Sequence, residues 1–449
     1  MVIGGGLAGT TAALALAGRG LHVTLVESRP RLGGLVFSFS RDSAVGRLEV
    51  DNGQHVHLRC CTAYRRLLSR LGGEQLAPVQ RRLDVPVLDA GSGRLGRIRR
   101  TALPVPLHLA AGLGGYPHLS PGDRLRVARA ALALRRLDPH DPVLDGCSFA
   151  DWLRQHGQSA RCIEALWDLV GVATLNARAE EVSLALAVMV FRTGLLSAPG
   201  AADIGAARVP LGELHDVRTR AALERAGVRV LLRARARGLR PGPAGGWQVA
   251  VSNGPDADRQ LDADTVVLAV PPRTAHRLLP RGALPEPDRL LRIGTAPILN
   301  IHVIYDRPVL RRPFFAALGS PVQWVFDRTG PSGLGDLPGA GRSQYLALSQ
   351  SAAQDEIDES VAALRKRYLP ELERLLPAAR GAEVRDFFVT RERSATFAPV
   401  PGVGRLRPGP GTGLPGLHLA GAWTATGWPA TMEGAVRSGL AAAEEATGR

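Results

Sequence analysis

Met1-Val2-Ile3-Gly4-Gly5-Gly6-Leu7-Ala8-Gly9 opens the chain as a short apolar strand running straight into a glycine-rich turn. Gly4, Gly6 and Gly9 stand where a dinucleotide-binding turn excludes side chains. Gly4 makes the tight turn, Gly6 lets a pyrophosphate reach the backbone, and Gly9 lets the following helix pack on the strand. The first N–H groups of that helix have no intrahelical partner and suit an anion. Residues 1–34 then read as strand Met1 to Ile3, turn, helix Thr10 to Arg19 and strand Leu21 to Glu27, a βαβ opening. A glycine turn alone is a weak signal. Glu27 strengthens it, because it falls at the interval where a carboxylate at the end of the second strand binds ribose hydroxyls.

The run Ser28-Arg29-Pro30-Arg31-Leu32-Gly33-Gly34 extends the signature. Arg31 is placed to reach the phosphates, and the paired Gly33 and Gly34 let the backbone pass close to the cofactor. This extension favours FAD over NAD. A second match to the glycine pattern, Gly91-Ser92-Gly93-Arg94-Leu95-Gly96, reads instead as a hairpin turn. Pro104 and Pro106 follow where a helix is required, and no carboxylate stands at the needed interval.

The 449 residues exceed what one compact core organises, so two domains are expected. Hydrophobic residues at 45% and charged residues at 22% are the balance of a globular protein. The net charge of +15 comes from 55 arginines and a single lysine, Lys366, scattered along the chain. The clusters Arg94 to Arg100 and Arg229 to Arg240 alternate with apolar residues, as a hairpin and a strand do, and no aromatic residues interleave to stack bases. Nucleic acid is therefore not an expected partner, whereas basic side chains beside apolar surface suit an anionic membrane. Cys60, Cys61, Cys147 and Cys162 have neither metal-ligand nor disulfide spacing, so they read as reduced thiols and no metal site is expected. No apolar run approaches the roughly 18 residues of a membrane span and no signal peptide is recognisable. A cytoplasmic protein is expected, at most peripheral on the inner face of the membrane. The first strand is cut short by the chain start: either the sequence as given begins late or this strand is unusually brief.

Further along, Arg124 to Leu137 reads as an amphipathic helix, a surface element or a lipid-facing entrance for a greasy substrate. A helix through Glu224 leads to strand Val228 to Leu232, a hairpin through Trp247 to Val251, and the apolar strand Thr265 to Val270, which ends in Pro271-Pro272. Asp355 to Leu376 reads as a helix, Glu383 to Val389 and Leu417 to Gly421 as strands, and Met432 to Ala446 as the last helix. Thr431 can cap that helix. Its positive N-terminus suits the edge of a flavin whose reduced form is anionic.

On these residues the chain resembles the amine-oxidase-like flavoproteins, a superfamily that includes carotenoid desaturases. The opening turn, Arg31 to Gly34, Ala269-Val270-Pro271-Pro272 and Met432-Glu433-Gly434-Ala435 carry the resemblance. Val50-Asp51-Asn52-Gly53-Gln54-His55-Val56, Cys60-Cys61-Thr62-Ala63-Tyr64 and Thr426-Gly427-Trp428-Pro429-Ala430-Thr431 look most like the hydroxysqualene dehydroxylases. The fold so implied is α/β: a Rossmann-like FAD-binding domain of the amine-oxidase type, a parallel sheet with a three-stranded crossover, and an inserted α+β substrate domain. Residues 1–90, 205–280 and 385–449 would form the discontinuous FAD-binding domain, and 91–204 and 281–384 the substrate-binding domain. The implied cofactor contacts are Gly4, Gly6, Leu7, Ala8, Gly9, Glu27, Ser28, Arg31, Gly33, Gly34, Asn52, Gly53, Gln54, Ala236, Gly421, Ala422, Pro429, Thr431 and Met432.

The implied reaction replaces the allylic hydroxyl of hydroxysqualene with hydride, giving squalene. Asp51 and His55 are the candidate acids for the leaving hydroxyl, and Trp428 the aromatic residue that could face a cation. Each also has a plain alternative, polar groups at a strand end for the first two and core packing for Trp428. The implied partners are a hydrophobic isoprenoid substrate and an external electron donor or reductase. Two departures from the superfamily matter. Ala422 stands where an acidic residue usually touches the ribityl-phosphate region, and Lys366, on a charged helix face, cannot be the lysine amine oxidases place near the flavin. A carotenoid desaturase and a non-enzymatic prenyl-binding escort protein are the alternative readings.

Overall fold

Parallel strands need crossovers, and the opening βαβ unit supplies the first. In the computed structural model, which describes residues 1–243, 245–252 and 259–448, strand Val2–Ile3 passes through helix Leu7–Ala17 to strand Thr24–Val26. Val2 pairs with Leu25 on one side and with Val267 on the other, all parallel. Strand Arg229–Leu231 extends the sheet beyond Thr24–Val26, and Leu417–Leu419 extends it beyond Val266–Leu268. Val2–Ile3 therefore sits centrally, where the order of connections reverses and open α/β sheets bind ligands. The strands are short and mostly apolar, with Val2–Ile3 and Val266–Leu268 wholly so and buried, as expected at the centre of a sheet covered on both faces.

Three antiparallel strands, Arg235–Pro241, Trp247–Ser252 and Arg259–Ala263, form the crossover between Arg229–Leu231 and Val266–Leu268. The last helix, Met432–Glu445, returns to the first: a Cβ on Gly439 would lie 2.2 Å from the Ala8 carbonyl oxygen, so the two backbones touch. The chain ends thus share one layer.

A seven-stranded mixed sheet holds the other half of the molecule. Its order is Val384–Phe397, Thr295–Tyr305, Gln344–Ser351, Trp324–Asp327, Phe314–Leu318, Asp84–Asp89 and Leu95–Arg99, with Phe314–Leu318 and Asp84–Asp89 as the parallel pair. Asp84–Asp89 and the long strand Val384–Phe397, read from sequence with the nucleotide-binding segments, hydrogen-bond into this sheet instead. Strand pairing is non-local, and the alternation of a strand does not say which sheet receives it. Residues 91–96 form the turn of a hairpin, as expected, with Asp89 Oδ1 accepting from the Ser92 backbone at 2.8 Å.

Helices between 107 and 195 pack beside this sheet. The expected amphipathic helix runs over Pro121–Leu134, capped by Ser120, and buries Val127, Ala130 and Leu134. No helix among the described residues is long and apolar enough to cross a membrane. All four cysteines are free, and the described residues hold no metal-binding cluster.

Candidate active site

The glycine turn is built by exclusion. Gly4 has φ +112°, and a Cβ there would stand 2.2 Å from the carbonyl oxygen of Ala269 on the neighbouring strand. A Cβ on Gly9 would stand 1.9 Å from the Gly4 carbonyl oxygen. Gly33 donates its N–H to Gly5 O at 2.9 Å, and a Cβ on Gly34 would stand 2.9 Å from Gly6 Cα, so the second glycine pair lies directly on the first. Gly6 caps the helix with no side chain, which leaves the first-turn N–H groups of Leu7, Ala8 and Gly9 without a side-chain acceptor.

Glu27, buried at the end of its strand, accepts from the backbone of Gly5 and Arg29, each at 2.6 Å, and from Ser28 Oγ at 3.1 Å. An ionised carboxylate has about four acceptor positions, so one remains for a ribose hydroxyl. Ala234 donates to the Glu27 carbonyl at 2.9 Å, which sets the strand carrying Ala236 beside this corner. Arg31 folds back on its own loop. It donates to the carbonyls of Gly34 at 3.0 Å and Leu32 at 3.2 Å, and its guanidinium lies 3.4 Å from the centre of the Phe37 ring. Burial lowers its pKa. Arg31 braces the glycine pair rather than extending from it.

The 51–55 segment begins at the end of strand Gly46–Asp51 and is held at Asn52 by two strands of the large sheet. Asp51 is buried. Its Oδ1 accepts from Ser38 Oγ at 2.6 Å and Leu211 N at 2.9 Å, and its Oδ2 pairs with Arg328 at 2.5 Å. Burial pushes its carboxyl above the ordinary aspartate range, against the opposing pull of Arg328. The Asn52 side chain is also engaged, with Phe37 N at 3.2 Å and Leu35 O at 2.9 Å, while its carbonyl accepts from Asn300 Nδ2 at 3.1 Å and Thr390 Oγ1 at 3.0 Å. These contacts fix Gly53 and present Gln54 and His55. His55 keeps part of its surface exposed, yet enough protein surrounds the ring that burial lowers its pKa to about 4.

Behind His55 lies a group of buried rings. Tyr64 OH meets His215 Nε2 at 3.1 Å, and the His57 ring lies edge-on to Tyr64 at 5.2 Å. Burial lowers His57 to about 4 and His215 to about 3, so these rings are neutral at pH 7.

The C-terminal loop is held by a residue the sequence reading passed over. Arg407, buried, donates to the carbonyls of Thr424 at 2.5 Å, Trp428 at 2.8 Å, and Trp423 and Ala422 at 3.3 Å. Burial lowers its pKa to about 10. No single-sequence signal separates it from the other arginines. Gly421 donates to Ser438 Oγ at 2.9 Å, and Trp423 Nε1 donates to Val270 O at 2.9 Å, which ties this loop to the strand before Pro271. Thr431 accepts from Gly434 N at 3.1 Å as the expected cap, with Pro429 buried before it and Met432 opening the helix. Trp428 is half-buried with the Arg437 guanidinium 5.0 Å from its ring centre, so one face already meets a cation. Glu433, fully buried, accepts from the backbones of Ala63 at 3.1 Å and Tyr64 at 2.7 Å and from Arg437 at 2.7 Å, joining the last helix to the start of helix Thr62–Arg70.

The geometry defines a dinucleotide-binding flavoprotein: an uncapped helix N-terminus, a glycine cradle that any Cβ would fill, and a buried ribose-side carboxylate fit FAD. Residues 7–447 match the model of the flavin containing amine oxidoreductase family, and the chain belongs to that family. It is 32% identical to a hydroxysqualene dehydroxylase of Rhodopseudomonas palustris, with 99% of this chain and 97% of that one covered. It is 30% identical to another from Sinorhizobium fredii, with the same coverage. A putrescine oxidase variant redesigned at its cofactor site shares the fold, with a TM-score of 0.73 at 20% identity, covering 100% of this chain and 98% of its own. The protein is an FAD-dependent oxidoreductase with an amine-oxidase-type fold.

Proposed function

We propose that this enzyme reduces hydroxysqualene to squalene, releasing the allylic hydroxyl as water. The observation that carries the reading is the full-length similarity to hydroxysqualene dehydroxylases. Bound FAD, once reduced, supplies the hydride. The chain must then protonate a poor leaving group and keep the carbon centre dry.

His55 is the better-placed acid. Its ring nitrogens make no hydrogen bond among the described residues, and a negative charge nearby would raise its lowered pKa back toward neutrality. Asp51 would first have to release Arg328, Ser38 and Leu211. Trp428 offers at most the face turned away from Arg437. Gly4, Gly6, Leu7, Ala8 and Gly9 hold the pyrophosphate in this reading, Glu27 and Ser28 the ribose, and Asn52 to Gln54 with Gly421 to Met432 the flavin end. Ala422 leaves that end to backbone donors, in place of a carboxylate.

The electrons that reduce the flavin must come from outside, and the other glycine-pattern match in the sequence reading is the hairpin at 91–96. A separate reductase or free reduced flavin is the proposed electron donor. The helix Pro121–Leu134 turns Leu125 and Leu132 outward at 52% and 46% exposure, with Arg129 between them, which supports peripheral contact with an anionic membrane.

A carotenoid desaturase would use the same cofactor in the oxidative direction. The test is anaerobic incubation of the reduced holoenzyme with hydroxysqualene, following flavin reoxidation and product mass. Squalene formed in step with reoxidation is expected. Reoxidation without squalene, or no reoxidation, overturns the reading and leaves the desaturase.

A further inference from the structure

Among the buried polar side chains of strand Thr295–Tyr305, His302 and Asn300 are treated differently. His302 is satisfied at both nitrogens, by Tyr345 OH at 2.7 Å and Thr390 Oγ1 at 3.1 Å. Asn300 is not. Its Nδ2 donates to the Asn52 carbonyl at 3.1 Å, but its Oδ1, sealed from solvent, has no donor. Gln54 Nε2, on the loop that Asn300 holds, is likewise buried without an acceptor. The side of Gly53 is where these groups meet. A Cβ there would stand 3.3 Å from Asn300 Nδ2, 3.8 Å from Asn300 Oδ1 and 3.5 Å from His55 Nε2. Buried polar atoms are almost always paired, so an unpaired acceptor and an unbonded imidazole that both flank Gly53 call for a small group that both donates and accepts. A hydroxyl is such a group.

We propose that Asn300 and His55 form the seat for the substrate hydroxyl, which donates a hydrogen bond to Asn300 Oδ1 while the His55 ring faces its oxygen. This rests on the substrate class proposed above and adds the residue that distinguishes the alcohol from the hydrocarbon. Asn300 acts here in recognition, because a site built around a hydroxyl leaves its own polar groups unpaired when the hydroxyl is missing.

Two variants separate this seat from a purely structural role. Asn300→Leu removes both the open acceptor and the bond to Asn52 O. Thr390→Val removes only the other bond to that carbonyl and the contact with His302. Oxidised holoenzyme, which cannot deliver hydride, is titrated with hydroxysqualene and with squalene, reading the shift of the flavin absorbance, after FAD content and melting are checked for each variant. The native enzyme and Thr390→Val are expected to prefer the alcohol by at least about tenfold, and Asn300→Leu to lose that preference while still binding squalene. Equal loss in both variants assigns the effect to loop positioning and overturns the seat. So does a native enzyme without preference, or an Asn300→Leu variant that keeps it. A native enzyme that binds neither isoprenoid overturns the seat and the proposed substrate together, whereas binding without preference leaves the substrate reading standing.

Discussion

The two ends of the cofactor site are made of different material. At the pyrophosphate end, backbone does the work: glycines remove side chains, a helix N-terminus offers N–H groups, and the carboxylates of Glu27 and Asp216 accept from backbone N–H groups of the turn and its loop. At the flavin end, side chains from distant strands converge. Asn300 and Thr390 clamp Asn52, Arg328 pairs with Asp51, and Arg407 gathers four carbonyls of the C-terminal loop. The first end is specified by what is missing at each position, the second by which side chains find one another. The first should fail outright when a side chain is added, and the second should fail by degrees as contacts are removed.

The largest effect expected is therefore at Gly9. Gly9→Val places a branched side chain where even a Cβ would stand 1.9 Å from backbone, so flavin content, read from the absorbance ratio of purified protein, should fall to near zero. Substantial yellow holoenzyme would show that the cradle yields more than its geometry allows. Next comes the buried pair. Arg328→Met leaves the buried Asp51 carboxyl without its counter-ion, a loss of about 3–5 kcal/mol in unfolding experiments.

Acidification probes the histidines. His55 and His57 have pKa values near 4, and His215 and His302 near 3, below the unfolded value of 6.5. The unfolded state then binds more protons below pH 6.5, and stability falls as pH drops from there toward 3. The slope is about 1.4 kcal/mol per pH unit for each such histidine, so several kcal/mol should be gone by pH 5, with no matching loss between pH 7 and 8. A melting temperature that is flat from pH 7 to 5 contradicts the buried neutral rings. The smallest effect is Thr431→Ala, which removes the cap of the last helix and should cost about 1 kcal/mol while leaving the cradle intact.

The same contrast explains what could be read in advance. Gly4 to Gly9, Glu27 and Gly33-Gly34 lie close in sequence and obey local rules, so the βαβ opening, its cofactor and the Thr431 cap were legible from residue type and spacing. Arg31 was legible as part of the turn, but its stacking on Phe37 was not, since that depends on how the next strand turns. Asn300 lies more than two hundred residues from the loop it holds, in an apolar run that carries no motif. Arg407 and Arg328 are two arginines among 55, and only the fold separates them from the solvent-facing ones. The strands Asp84–Asp89 and Val384–Phe397 show the same limit at the scale of sheets.

The division of labour between the two ends is tested most directly by His55→Ala, comparing FAD content with the rate at which the reduced, anaerobic enzyme forms squalene. Near-native flavin content with turnover reduced about a hundredfold or more is the expected result, the size of a lost general acid. Unchanged turnover, or turnover that falls only in proportion to flavin, would contradict it.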